Sequence, residues 1–150
     1  MGFGLDFPAV PKIEDGIYTV SEAEDSPRSK APARIYSVTL PTAIYKLTVA
    51  DFSKQPYDDG ANLLGQAVDY LTNTENLRVD TSDRIGNRAA AVYGRHLTYD
   101  RKDGGRSTMG FFFTKGKLYV IEAIILPTNS DIGSPDALRF QQSLCFLPRC

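Results

Sequence analysis

Residues 118–126, Leu-Tyr-Val-Ile-Glu-Ala-Ile-Ile-Leu, are apolar at odd and even positions alike, with Glu122 the single exception. Successive side chains of a strand point to opposite faces, so such a strand must be covered on both. The run is far shorter than the ~20 apolar residues a membrane helix requires. The chain must therefore build a sheet with 118–126 inside it and supply packing for each face.

The remaining pattern supplies strands. Residues 34–40 and 43–52 alternate apolar and polar positions through Tyr36, Val38 and Leu40, then Tyr45, Leu47 and Val49. Joined by Pro41-Thr42, they read as an antiparallel pair. Residues 77–81, 88–99, 106–114 and 117–126 follow, separated by a glycine-bearing loop at 100–105 and a tight Lys115-Gly116 turn. These read as an antiparallel meander. Residues 5–7 and 17–21 read as short strands around the turn signal Glu14-Asp15-Gly16, and 22–34 as a mobile loop.

Two helices are expected. Leu63, Leu64, Ala67, Val68 and Leu71 recur at helical spacing over 61–72, with Asp58 and Asp59 placed to cap the entry. Ser134-Pro135 opens a second over 135–144 with a capping serine and proline at the first helical position. At 150 residues, without a repeat or linker, the chain reads as one domain, 1–150.

Glu122 is the anomaly in the central strand, because a carboxylate buried without compensation is costly. Pointing inward, it would need Arg88, Arg95 or His96 from the meander and would become a candidate general acid or base. The plain alternative is a solvent-open position or a structural ion pair. His96 is the lone histidine, which excludes a His-rich metal site and otherwise reads as a half-exposed strand residue. In Phe111-Phe112-Phe113, adjacent rings alternate faces. Either both faces are covered there or Phe112 is displayed to a partner. Glu122, Arg95, His96, Arg88 and Phe112 are thus the candidate ligand- or partner-binding residues, and no catalytic set emerges.

Charge narrows the field. The net charge is −1, without the basic excess that phosphate neutralisation demands, so nucleic acid is not an expected partner. The distribution is uneven: residues 1–27 hold six acids against Lys12, and 78–117 hold nine bases against four acids. Pairing strands would gather those bases into a patch for an anionic ligand; the alternative is dispersed, solvated charges. Asp100–Gly105 departs from a calcium loop, having Lys102, Gly104 and Phe111 where oxygen ligands belong. Walker, dinucleotide, nucleophile-elbow and zinc-protease patterns are missing, so no cofactor or metal is implied. Of the two cysteines, Cys145 reads as a buried small hydrophobe and Cys150 as frayed, with a disulfide turned through Pro148 as the alternative.

The run Gly116-Lys117-Leu118-Tyr119-Val120-Ile121-Glu122, followed by Leu138-Arg139-Phe140-Gln141-Gln142-Ser143-Leu144-Cys145-Phe146, resembles the PsbP/Mog superfamily. The resemblance extends over about 33–147. It implies an α/β/α sandwich around an antiparallel sheet, an accessory or binding role, and export to the periplasm. No signal peptide is visible in this chain, and no family site residue carries over. The expected function is a non-enzymatic accessory or protein-binding domain. A small-ligand carrier with an aromatic-lined pocket is the alternative, and an enzyme using a buried carboxylate is the more distant one.

Overall fold

The computed structural model describes residues 2–20, 30–54, 60–74, 79–87, 92–131, 134–148 and 150, with backbone alone at 60, 61, 79–87, 92 and 93. The elements run β1 (Phe3–Gly4), β2 (Lys12–Thr19), β3 (Lys30–Thr39), β4 (Ala43–Asp51), α1 (Gly60–Thr74), β5 (Val79–Asn87), β6 (Val92–Asp100), β7 (Arg106–Thr114), β8 (Lys117–Ile125), α2 (Pro135–Gln142) and β9 (Cys145–Phe146). Seven strands form one antiparallel sheet in the order β2-β3-β4-β8-β7-β6-β5, and β1 pairs with β9 separately. None of the described helices is long and apolar enough to cross a membrane.

The doubly apolar segment is the fourth of the seven strands. On one face, Leu118 and Val120 join Leu97, Met109 and Phe111 beneath Leu63, Leu64, Ala67 and Val68 of α1. On the other, Tyr119, Ile121, Ala123 and Ile125 join Tyr45, Leu47 and Phe112 beneath Ala137 and Phe140 of α2. Two cores thus lie back to back across one strand. The meander closes as its turns demand. Lys115 and Gly116 both take positive φ, the twist that suits a two-residue hairpin, and a side chain at Gly116 would press into Ser53.

The expected α/β/α sandwich is not formed. Strand accounts for about 50% of the structure and helix for 19%, in two short helices. Width explains the difference. Seven strands at ~4.8 Å spacing make a sheet about 30 Å across, whereas one helix is about 10 Å wide. A single helix per face covers two or three strands and is no layer. α1 lies over β6 and β7, and α2 over β7 and β8. β2 lies beyond the main contacts of both helices, although its Tyr18 packs into the core under α1.

Other expectations are corrected locally. Glu14-Asp15-Gly16 is not a turn but the middle of β2, which pairs with β3 from Lys12↔Ser37 to Thr19↔Lys30. Pairing supplies the backbone partners, and Arg34 donates to the Asp15 carboxylate at 3.0 Å, so the turn chemistry is overridden. The expected loop at 22–34 therefore ends at Lys30, and its earlier part lies outside the described residues, as do Asp58 and Asp59. The second helix stops at Gln142, two residues early, because Cys145 and Phe146 pair with Gly4 and Phe3. Its entry follows the expected chemistry, with Ser134 Oγ accepting from the Asp136 amide.

Cys145 and Cys150 are bonded to each other, contrary to the reading from spacing. The turn through Pro148 brings their α-carbons to 5.2 Å, within disulfide reach. The bond staples the segment that carries Phe146, which is buried against Tyr119 and Phe112. Closing a loop this short removes about 2 kcal/mol of unfolded-chain entropy. Replacing both cysteines by serine should lower unfolding free energy by about that amount, measured in urea, while the far-ultraviolet dichroism of the sheet is retained.

Candidate functional site

The sequence-nominated residues do not converge. Glu122 is half-buried in β8, on the face that carries α1. Its cross-strand neighbours are Lys46 of β4 and Met109 of β7, not the residues expected from the meander. Arg95 shares that face through its alternation with Leu97 and Tyr99, but β7 separates its strand from β8. His96 points to the opposite face, where its Nε2 lies 3.1 Å from Gln141 Oε1 of α2. Arg88 lies outside the described residues. Phe112 is buried against Phe146, so it is not displayed to a partner.

Glu122 instead belongs to a tyrosine-containing environment under α1. Burial raises the Tyr18 hydroxyl well above the ordinary tyrosine value, and the charges of Glu122 and Tyr70 add to it. Among the described residues, this environment joins Glu122 to two phenols rather than to the basic residues expected as its partners.

The basic stretch also disperses among the described residues. Arg101 bonds Asp103 and the buried Ser107 hydroxyl at one end of β7, and Arg106 reaches Asp100 at 3.4 Å. Lys115 stands in the turn at the other end of that strand. Arg95 is on the α1 face. No single anionic ligand would meet all of them.

Two surface features remain. One is a cleft of about 390 Å³ beside α2, lined by Asp6, Leu40, Tyr45, Asp136, Arg139 and Phe140, among others. Its floor is aromatic, with Tyr45 and Phe140 at 5.0 Å between ring centroids and Phe7 against Phe140 at 5.2 Å. Its charges are largely matched, since Arg139 reaches Asp136 at 3.3 Å. Burial, then the Asp136 charge, pushes the Tyr45 hydroxyl above its ordinary value.

The other is β2 itself. Among the described residues it has a strand on one side only, so alternate amide and carbonyl groups on its outer side are open to pairing. Val10, Ile13 and Ile17 are 94%, 57% and 74% exposed, three of the five large hydrophobic residues exposed among those described. Ile13 and Ile17 point to the α2 side of the sheet, with Asp15 between them, on a part of that face no helix covers. The sequence pattern concealed this edge, because Glu14-Asp15-Gly16 reads as a turn. The spacing of Ile13 and Ile17 two residues to either side of Asp15, which places all three on one face of a strand, was the available signal.

No protein-family model matches the chain, and no curated protein sequence does. The fold is similar to the crystal structure of PA94, a protein of unknown function from Pseudomonas aeruginosa. The TM-score is 0.51, over 89% of this chain and 98% of that one, at 12% identity. At that identity the likeness shows the fold alone.

The Tyr18 environment gives a direct check on Glu122. In Glu122→Gln, Tyr18 should ionise at lower pH than in the parent chain, yet still above 10.0, because burial is the larger cause. An alkaline titration followed by the NMR shift of its ring Cζ reads this. An unchanged titration would show that Glu122 does not face the phenol.

Proposed function

We propose that the chain is a non-enzymatic protein-binding module that captures an extended segment of its partner on the free edge of β2. The observation that carries this reading is the coincidence, on one strand, of an open backbone edge and two outward isoleucines. Strand addition uses main-chain hydrogen bonds for affinity and alternate side chains for selectivity. β2 offers both over eight residues. Isolated exposed apolar residues are ordinary, but their concentration along an open edge is a liability that a binding role would account for.

The Cys145–Cys150 disulfide supports placing this module in an oxidising compartment outside the cytoplasm. The cores on both sheet faces are packed, and the aromatic-floored cleft beside α2 carries matched charges at its rim, which favours a binding surface over the carrier reading.

A selection from a random library of displayed twelve-residue peptides tests the edge. Enriched peptides should alternate β-branched and polar residues, and the double variant Ile13→Lys, Ile17→Lys should bind them at least tenfold more weakly. Binders insensitive to both substitutions, or a selection without binders, would sink the reading.

A further inference from the structure

The proposed edge function can be sharpened by asking which strand β2 accepts, and the first candidate is a second copy of β2. Two copies related by a dyad pair antiparallel, with the register fixed by the residue on the axis. Centred on Asp15, the ladder uses residues 12–18 and sets Ile13 against Ile17 of the second copy at both ends. It also sets Asp15 directly against Asp15, and like charges in that position are destabilising. Centred on Glu14, Ile13 meets Asp15; centred on Gly16, Ile17 meets Asp15. Centred on Ile13 or Ile17, the other isoleucine falls outside the paired strands. Each register that satisfies one feature of β2 violates another, so Asp15 guards the edge against its own kind.

A different strand suits all three positions at once. Ile13, Asp15 and Ile17 alternate along β2 and share the α2-side face. The Asp15 side chain stays 77% exposed while Arg34 donates to one of its oxygens. Its second oxygen is open to another donor. The sequence around the strand is acidic as well, with six acids and one base over residues 1–27. We infer that β2 docks an extended segment of another protein carrying a lysine or arginine opposite Asp15, with apolar side chains two residues to either side. This rests on the strand-addition reading above and names its partner's chemistry.

The test uses three synthetic peptides, Thr-Val-Thr-X-Thr-Val-Thr with X as Lys, Gln or Glu, titrated into the full chain by calorimetry. The lysine peptide should bind about tenfold tighter than the glutamate peptide, with glutamine between. The preference should vanish in Asp15→Asn and invert in Asp15→Lys, each checked for native dichroism. Equal binding of all three to the parent chain would overturn the basic specificity and leave the edge reading standing. No binding of any peptide would count against the edge reading as well. A dimer of the parent chain that protects β2 amides from hydrogen exchange would overturn the guarding role of Asp15.

Discussion

The antiparallel pairing of β4 with β8 joins what would otherwise be two separate sheets. It runs from Ala43↔Ile125 to Asp51↔Lys117 and connects β2-β3-β4 to the β5–β8 meander. Every other contact in the large sheet is between consecutive strands, so this is its one long-range register. Because side chains alternate, a slip of one residue here would move Leu118 and Val120 from one core to the other. The pairing therefore decides which residues α1 and α2 can cover. Apolar side chains at both parities of β8 make either face favourable to bury, and Tyr45 and Leu47 on one side, with Ala50 and Phe52 on the other, extend both cores across the junction.

Local pattern carried β3, β4, β7, β8 and the two helices well, missed β1, the start of β2 and the length of β5, and carried the arrangement poorly. The alternation around Tyr36 and Tyr45, the Lys115-Gly116 turn and the helical spacing from Leu63 to Leu71 each involve neighbours in sequence. Their chemistry is therefore visible without the fold. The partner of β8 across the sheet is not of that kind. Nothing near Glu122 announces Lys46, so the meander strands were the natural place to look, and Arg95 and His96 followed from that error. His96 fails for a second reason, since its register opposite Gly110 puts it on the face away from Glu122.

The sandwich expectation failed on geometry. Two helical periods with apolar faces imply that something lies on each side of the sheet, which is correct. They do not imply that each side is covered. Comparing the width of one helix with the width of seven strands would have shown that part of each face stays without a helix. The candidate site lies in that remainder. Its legibility was further reduced because Glu14-Asp15-Gly16 has turn chemistry by composition and strand geometry by pairing. Local preference there is worth little against eight consecutive residues of ladder with β3.

The edge and the core make different demands on the chain. β4 to β8 and the helices hold their side chains by mutual burial, so a ligand acting there must disturb packing. β2 contributes chiefly through its single partner β3, and its Ile13 and Ile17 bury little within the chain. Adding a strand beyond it removes apolar surface from water and satisfies backbone groups without moving either core. The same reasoning explains why a charge stands between the two isoleucines. An apolar edge without Asp15 would pair with any extended chain, including its own copies. A carboxylate there retains the backbone template while making one side chain of the incoming strand decisive.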